Sequence, residues 1–224
     1  MRIPLAREGL PFILGTTVPA IVLLSAAAYI GGTLLWIVAF CVAVLAVFVL
    51  AFFRDPERAG PKGPDLVVSP ADGKVIDIRL VEESSYMKSE SLCMSIFLSL
   101  FDVHVNRYPV TGDVDHRTYD AGRFEPAWRR SASHSNERAS TGIQSVGHSV
   151  LVRQIAGLAA KRIVTYAKLG DRVEQGDRMG LIRFGSRVEV FLPKESAPKV
   201  RVGQRAVGGM TVLAQLTAGS EGPE

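Results

Sequence analysis

The sequence has few of the features that mark disulfide-rich, metal-binding or nucleic-acid-binding proteins. Its 224 residues include two cysteines, Cys41 in an apolar segment and Cys93 in a predicted strand. They form no Cys-x-x-Cys pair, which excludes a disulfide framework and a cysteine-based metal or redox motif. The formal charge is only +4, and Lys and Arg are scattered without interleaved aromatic residues. We therefore expect neither a metal centre nor a nucleic-acid partner.

Charge is also absent from a long stretch near the N-terminus. No charged residue occurs from Pro11 to Phe53, about forty-three positions, whereas one spanning helix needs about twenty. Gly31-Gly32 divides this stretch near its middle and is typical of a tight reversal. The pattern predicts a helical membrane hairpin, with one helix over 12–30 and the other over 33–53.

The charges that flank the apolar stretch predict its orientation. Arg2 and Arg7 precede it and Arg54 follows it, so the positive-inside rule places both ends in the cytoplasm. The run is too long for a cleaved signal peptide. One long tilted helix with an interfacial piece around Pro19 is the alternative. We expect an anchor over 1–53, a linker over 54–65, a β-rich domain over 66–216 and a flexible tail over 217–224.

The first part of the soluble region reads as strands that carry polar residues. Residues 67–78 predict a strand, an Asp-Gly turn and a second strand, and Asp72 is either a turn residue or part of a site. Residues 92–100 predict another strand. In the segment that follows, alternation places Asp102, His104 and Asn106 on one face, which suits a cleft better than a core.

The middle of the soluble region is less regular. Residues 118–141 are rich in Arg and Ser and predict a long surface loop, which includes His134. An apolar β pattern resumes over 144–164. Within it, residues 155–160 fit a strand, a short helix or a turn equally well.

An internal repeat occupies the last third of the chain. Residues 169–176 (Leu-Gly-Asp-Arg-Val-Glu-Gln-Gly) return thirty-three positions later as 202–209 (Val-Gly-Gln-Arg-Ala-Val-Gly-Gly). An apolar strand is predicted after each copy, over 179–182 and 210–213. The copies resemble the half-motif of biotinyl and lipoyl domains, and residues 69–75 resemble its complementary strand. The expected fold is thus mainly β, a β-sandwich with barrel-sandwich features behind the helical hairpin.

Several ordered motifs together resemble phosphatidylserine decarboxylase in its short, membrane-anchored form. They are Ser-Pro-Ala-Asp-Gly at 69–73, Phe-Asp-Val-His-Val-Asn-Arg at 101–107, Gln-Ile-Ala-Gly at 154–157, Gly-Asp-Arg-Val-Glu-Gln-Gly at 170–176 and Arg-Phe-Gly-Ser at 183–186. The resemblance extends from about residue 50 to 216. A Gly-Ser pair alone is most often an ordinary turn or bulge; its place in this series is what indicates a function.

The resemblance implies a proenzyme that cuts itself between Gly185 and Ser186, giving a β chain of residues 1–185 and an α chain of residues 186–224. Ser186 would become an N-terminal pyruvoyl group, so no external cofactor is needed. Its carbonyl would form a Schiff base with the amine of phosphatidylserine and stabilise the carbanion left when CO₂ departs. The product is phosphatidylethanolamine, made at the cytoplasmic side of the cell membrane.

The resemblance also implies helper residues. An Asp, His and Ser act in self-cleavage within the family, and the Asp corresponds to Asp72. Longer members carry two histidines three residues apart; this chain keeps the first as His104, associated with decarboxylation, but has Arg107 at the second. We expect His104 to serve both steps, with His134 or His148 as alternative bases. Arg107 would bind the lipid phosphate or carboxylate, or form a structural ion pair.

Two other functions compete with this interpretation. A decarboxylase of another serine-headed lipid, such as an archaeal ether lipid, would use the same chemistry. A non-enzymatic, membrane-anchored adaptor would account for the hairpin and the repeat, but the chain has no sustained heptad pattern and Gly185-Ser186 would remain unexplained. The number of subunits, including a homo-oligomer, stays open at this stage.

Overall fold

A computed structural model describes residues 4–122, 125, 132–157, 162–183 and 185–217, without the side chains of residues 132 and 134. Phe184, the predicted tail from 218 onward and residues 158–160 of the ambiguous segment therefore lie outside the described residues. The chain divides into two compact units, Met1–Glu57 and Arg58–Glu224. The first is helical and the second is mainly β.

The first unit is a pair of helices, as the Gly pair predicted. Helix α1 spans Leu10–Ile30 and helix α2 spans Thr33–Phe52. Gly31 and Gly32 join them with φ of 76° and 95°, a region that glycine adopts without strain. The chain thus forms two helices and not one long one, and each is long and apolar enough to cross a membrane.

Small residues line the interface between the two helices. Ala20 and Ala27 of α1 and Ala39 and Ala46 of α2 are buried, whereas most large apolar side chains of both helices are exposed. Alanine at the interface lets helix backbones approach closely, an arrangement common in membranes. The exposed Leu, Ile, Val and Phe side chains present a surface suited to lipid.

Backbone hydrogen bonds hold the two ends of the hairpin together. The N–H of Ala6 donates to the carbonyl of Phe53 at 2.8 Å, and the N–H of Asp55 donates to the carbonyl of Pro4 at 2.7 Å. Leu5 and Arg54 form an antiparallel bridge between them. Both ends of the apolar segment therefore lie at one end of the hairpin, together with Arg7 and Arg54.

In its described residues the second unit contains antiparallel strands and one short helix, which confirms the mainly β prediction. Its elements, in order along the chain, are β1 Leu66–Val68, β2 Gly73–Glu83, β3 Ser89–Leu98, β4 Val105–Arg107, β5 Gly112–Asp120, α3 Ala132–Ser135, β6 Arg138–Ser145, β7 His148–Ala156, β8 Ile163–Thr165, β9 Arg172–Val173, β10 Arg178–Ile182, β11 Ser186–Pro193, β12 Ala197–Pro198, β13 Arg205–Ala206 and β14 Val212–Gln215.

These strands form one large sheet and two small ones. The eight-stranded sheet has the order β13-β2-β3-β11-β7-β6-β5-β9, and the small sheets have the orders β1-β14-β12 and β4-β10-β8. Strand β11 lies centrally in the large sheet, between β3 and β7. Its even-numbered residues Val188, Val190 and Leu192 join the main apolar core, because side chains alternate between the two faces of a strand.

Several element boundaries differ from the sequence predictions. The predicted loop over 118–141 is strand at both ends, because β5 continues to Asp120 and β6 begins at Arg138. The strand predicted over 210–213 begins at Val212, after a turn. Residues 155–156 of the ambiguous segment belong to β7. The predicted linker is attached from Arg58 onward, since Gly63 N–H donates to the Gln175 side chain at 3.0 Å.

The internal repeat is present in the backbone. Gly170 and Gly203, thirty-three residues apart, have φ of 85° and 92°, and Gly176 and Gly209 have φ of 88° and 72°. Between the glycines lie the equivalent two-residue strands β9 and β13, and after them lie β10 and β14. All four glycines occupy a left-handed region that other residues adopt at a cost, which explains why these positions repeat.

A second repeat completes this symmetry. Ser69-Pro70-x-x-Gly73 and Tyr108-Pro109-x-x-Gly112 are thirty-nine residues apart and precede β2 and β5, respectively. Gly73 pairs with Ala206 of β13, and Gly112 pairs with Val173 of β9. The N–H of Gly209 donates to the carbonyl of Ser69, and that of Gly176 donates to the carbonyl of Tyr108. The unit thus contains two related halves.

Candidate functional site

Ser186 is the first residue of the central strand β11. Its register partners are Leu98 on β3 and Ala156 on β7, so backbone pairing holds it on both sides. Ser186 is fully buried, and its hydroxyl has no hydrogen-bond partner among the described residues. Burying a hydroxyl without a partner costs about 1–3 kcal/mol. The burial of the Ser186 hydroxyl without a partner among the described residues is consistent with a reactive position when it is taken together with the conformation of Gly185.

Gly185 precedes it in an unusual backbone conformation. Its φ is +56°, in the left-handed region that disfavours residues with a Cβ by about 1–2 kcal/mol. A Cβ built at this position would meet nothing within 4 Å. Glycine is thus favoured here by backbone conformation and not by lack of space for a side chain.

His104 is a buried imidazole with a defined tautomer. It is fully buried, and its Nδ1 lies 2.9 Å from the backbone carbonyl oxygen of Asp102. A carbonyl oxygen only accepts hydrogen bonds, so Nδ1 carries the proton. In the neutral ring, Nε2 is then the basic nitrogen, which is the form that a general base requires.

Asp102 orients the segment that carries His104. Its carboxylate accepts hydrogen bonds from the backbone N–H and hydroxyl of Ser99, at 2.8 and 2.7 Å, and it pairs with Arg205. Burial raises the pKa of Asp102, but the Ser99 hydrogen bonds and the Arg205 charge outweigh it, so the pKa lies below its usual range. Asp102 therefore stays ionised, and the carbonyl that binds His104 is fixed in place.

Backbone pairing brings the His104 segment close to the segment that leads to Ser186. Val105 pairs with Leu181, and the N–H of Ile182 donates to the carbonyl of His104 at 3.3 Å. Ser186 follows Ile182 by four residues. On strand β7, which pairs with β11, the Gln154 side-chain amide donates a hydrogen bond to the Asn106 side-chain oxygen at 2.7 Å. The predicted polar set of Asp102, His104 and Asn106 is therefore buried beside the strands that flank Ser186.

The alternative bases are placed differently. His148 begins β7, whereas the Ser186 partner Ala156 ends it, so the two lie about 27 Å apart along the strand. That separation excludes His148 as a base for Ser186 in this fold. The side chain of His134 lies outside the described residues. Unlike His148, His104 lies in the segment that pairs with the residues leading to Ser186.

Asp72 is bound to a different set of groups. Its carboxylate forms two hydrogen bonds with the Arg58 guanidinium, at 2.5 and 2.8 Å, and accepts the N–H of Gly208 at 2.8 Å. The related half of the unit has an equivalent contact. Thr111 is the counterpart of Asp72, and its hydroxyl accepts the N–H of Gln175, the counterpart of Gly208, at 3.0 Å. The contacts of Asp72 therefore connect it to the 207–210 turn, and within the described part of the chain its hydrogen bonds go to Arg58 and Gly208 and not to His104 or Ser186.

Arg107 is buried between the two halves of the repeat. One guanidinium nitrogen donates to the carbonyl of Gly176 at 2.8 Å, and its Cδ lies close to Gly209. Its backbone N–H donates to the carbonyl of Pro70 at 2.8 Å. Arg107 is thus adjacent to the turn that Asp72 holds.

The sequence analysis missed a buried charged cluster on the opposite face of β11. Arg187 lies 3.4 Å from the Glu189 carboxylate and also donates to the Ser133 hydroxyl, which in turn donates to Glu189 at 2.7 Å. Burial lowers the pKa of Arg187 even though Glu189 raises it. The signal was the Arg-x-Glu pair inside an otherwise apolar strand. These contacts fix the residue that directly follows Ser186.

Comparisons with known proteins identify the group to which these features belong. Residues 45–214 match the family model described as phosphatidylserine decarboxylase. A phosphatidylserine decarboxylase proenzyme of Symbiobacterium thermophilum is 49% identical over 96% of this chain and 98% of its own. Proteins with the same name from Carboxydothermus hydrogenoformans and Geobacter metallireducens are 47% and 42% identical, over 77% and 95% of this chain and 82% and 97% of theirs. The chain is a member of the phosphatidylserine decarboxylase family.

Proposed function

We propose that this chain is a proenzyme that cleaves itself between Gly185 and Ser186 and then decarboxylates phosphatidylserine to phosphatidylethanolamine and CO₂. The family and the names of its relatives support the overall reaction. The observation that carries the cleavage site is the Ser186 hydroxyl, which is buried and unpaired among the described residues, directly after a left-handed Gly185.

Self-cleavage would proceed in balanced steps. The Ser186 Oγ adds to the Gly185 carbonyl carbon and loses its proton, and the peptide nitrogen leaves, so the amide becomes an ester. Removal of the Ser186 α-proton then expels the Gly185 carboxylate and leaves dehydroalanine. Water replaces the nitrogen of dehydroalanine, ammonia departs, and an N-terminal pyruvoyl group remains on the α chain.

The sheet keeps the two products together. Strand β11 pairs with β3 from Ser186 to Pro193 and with β7 from Ser186 to Phe191. Strands β3 and β7 belong to the β chain of residues 1–185, whereas β11 belongs to the α chain of residues 186–224. The break therefore falls at the end of the strand, the pairings of the residues after Ser186 are left intact, and the new N-terminus stays in the core.

His104 would move the protons. Because Nδ1 is held by the Asp102 carbonyl, Nε2 is the nitrogen available to accept the Ser186 hydroxyl proton during cleavage. The same imidazole would then return a proton to the substrate carbon after CO₂ leaves. This assignment uses a single histidine for both steps, in keeping with Arg107 at the second histidine position.

The surroundings of Ser186 fit a pyruvoyl group. The serine is enclosed, small neighbours such as Ala156 flank it, and its oxygen has no competing partner among the described residues. A pyruvoyl group supplies a carbonyl that withdraws electrons from an amine-bearing substrate and so replaces an added cofactor. Burial would protect that carbonyl from water and from stray amines.

Asp72 and Arg107 would support this chemistry from the turn at 207–210. Asp72 binds the N–H of Gly208, and the Arg107 side chain packs against Gly209. We propose that Asp72 assists self-cleavage by fixing this turn and Arg58. For Arg107 we propose that the guanidinium binds the acidic headgroup of the lipid, since arginine suits phosphate and carboxylate geometry.

The helical hairpin would hold the enzyme at its substrate. Both helices have the length and hydropathy of membrane spans, and the arginines lie at the end where both helices meet the rest of the chain. The positive-inside rule then places the soluble unit in the cytoplasm. A substrate with another pair of lipid tails, or an ether lipid with a serine headgroup, would meet the same chemistry.

The test is decarboxylation by the full-length purified chain in mixed micelles. Wild-type protein should convert phosphatidylserine to phosphatidylethanolamine, and Ser186→Ala should neither cleave nor react. Ser196→Ala is the matched control, since Ser196 is another buried α-chain serine without a partner among the described residues. A serine-headed ether lipid in parallel shows whether the tails matter. An active, uncleaved Ser186→Ala protein would refute the proposal.

A further inference from the structure

We propose that one end of the soluble unit docks onto the surface of an anionic bilayer and inserts Leu100 and Phe101 into it. The docking face consists of residues 99–103, here called the Phe101 loop, and residues 201–210 beside it. This inference rests on the proposed function, because it explains how the enclosed site meets a lipid substrate. It assigns a membrane contact to the β unit in addition to the helical hairpin.

The Phe101 loop exposes large apolar side chains on a rigid turn. Phe101 is 78% exposed and Leu100 is 42% exposed. The turn is closed by hydrogen bonds from the N–H of Asp102 to the carbonyl of Ser99, at 3.0 Å, and from the N–H of Ser99 to the Asp102 carboxylate. The turn that carries these two exposed side chains is therefore held by its own hydrogen bonds, and aromatic side chains favour the membrane interface.

Cations and further apolar residues surround the loop. Arg205 pairs with Asp102, yet its side chain remains 70% exposed, and it lies in register with exposed Lys74. Val202, Val207 and Met210 of the adjacent segment are also exposed. Exposed apolar residues next to Lys and Arg are typical of surfaces that bind anionic lipid.

The charge of the docking face favours an anionic bilayer over a second copy of the chain as its binding partner. The acidic residue in these segments, Asp102, is already paired with Arg205. The face therefore keeps an excess of positive charge, contributed by exposed Arg201 and by exposed Lys74 beside it. Two such faces would repel one another, whereas an anionic membrane complements both the charge and the apolar side chains.

The docking face lies at the same end of the sheet as the cleavage site. Strand β3 ends at Leu98, the register partner of Ser186, and the Phe101 loop follows at once. His104 comes directly after the loop. Docking would therefore bring the end of the sheet that carries Ser186 and His104 against the headgroups, where the serine moiety of the lipid lies.

Lipid-borne quenching tests the contact without any need for catalysis. The full-length chain, with Cys41 replaced by Ala, would be labelled at Phe101→Cys with an environment-sensitive fluorophore and reconstituted into phosphatidylcholine vesicles with or without phosphatidylglycerol. Val146→Cys is the control, since Val146 is 74% exposed on the turn at the far end of β7. Nitroxide-bearing lipids should quench the label at 101 and leave the label at 146 unaffected, and phosphatidylglycerol should strengthen the effect. Absence of quenching at 101, or equal quenching at both sites, would overturn the proposal.

A kinetic comparison separates docking from catalysis. Phe101→Ser should mature like the wild type and decarboxylate a dispersed short-chain phosphatidylserine at the wild-type rate. On vesicle-bound phosphatidylserine its rate should fall by about tenfold, because an inserted aromatic ring is lost. Equal rates on vesicles, or an equal loss on both lipids, would refute the docking role. Failure of the wild type on both lipids would instead refute the proposed function, and the quenching result would still decide the docking.

Discussion

Replacement of Asp72 by Asn separates a positioning role from a chemical one. The change keeps the shape of the side chain and an oxygen that can accept the N–H of Gly208, but it removes the negative charge that faces Arg58. The Arg58 and Asp72 side chains are only 10% and 13% exposed. An uncompensated guanidinium would therefore be left in a poorly hydrated position.

The expected loss of stability follows from these contacts. Removal of one partner of a fully buried ion pair costs about 3–5 kcal/mol, and the residual hydration of this pair lowers that value to about 2–3 kcal/mol. The equivalent residue in the other half, Thr111, caps Gln175 through a neutral hydroxyl and has no buried cation to hold. Thr111→Val should thus cost about 1 kcal/mol.

Unfolding should be measured on uncleaved chains, so that maturation does not change the molecule under study. Both substitutions are placed in the Ser186→Ala background, and denaturant unfolding in detergent is followed by the circular dichroism of the β unit. In a chain that retains Ser186, the Asp72→Asn substitution should slow self-cleavage, because the turn at 207–210 is less well held. Unchanged stability together with complete loss of cleavage would refute the positioning role and make the Asp72 carboxylate part of the chemistry.

Three further predictions follow from other parts of the chain. Gly185→Ala should slow self-cleavage by about tenfold, the equivalent of about 1.4 kcal/mol of left-handed strain, in a time course of fragment appearance; an unchanged rate would contradict the backbone argument. Burial raises the pKa of Glu83, but hydrogen bonds from Ser85, Tyr86 and Met87 and the charge of Arg153 outweigh it and hold the pKa at about 2 instead of 4.5. The stabilisation of the folded state by ionised Glu83 is therefore complete above pH 4.5 and is lost as pH falls towards 2. Glu83→Gln should flatten that part of the curve of unfolding free energy against pH, and an unaltered acid dependence would contradict this role of Glu83. Reporters fused before Pro11 and after Glu224 should both be cytoplasmic, and opposite locations would contradict the hairpin orientation.

Much of the architecture could be predicted because it rests on local rules. The charge-free stretch and the Gly31-Gly32 pair indicated two helices, since length and hydropathy decide membrane spans. The repeat at 169–176 and 202–209 was visible because its glycines adopt backbone angles that few other residues adopt. In both cases a physical requirement acts on individual positions, so the sequence displays it directly.

Other features depend on contacts between distant segments and left no local trace. The Arg205–Asp102 pair and the contact between Gly208 and Asp72 each join segments that are more than a hundred residues apart along the chain. The role of Asp72 in capping Gly208 became clear only from its counterpart Thr111, which has a different side chain. The extent of β5 and β6 was underestimated because their outer ends are polar, and backbone pairing rather than apolar alternation forms them.

The candidate site includes features that the sequence displays directly and features that depend on the fold. His104 was identified by its motif, but its tautomer depends on the Asp102 carbonyl, which only the fold shows. Ser186 was suggested by the Gly-Ser pair, and its burial without a hydrogen-bond partner among the described residues gives that suggestion physical content.

The central claim is that Ser186 becomes the N-terminus of a separate chain. Intact-mass measurement of the purified wild-type protein should give two fragments, one of residues 1–185 and one of residues 186–224. The smaller fragment should be lighter than the product of simple hydrolysis by one ammonia, and it should resist Edman degradation because it has no free amine. A wild-type chain that remains whole while it decarboxylates lipid would contradict the account.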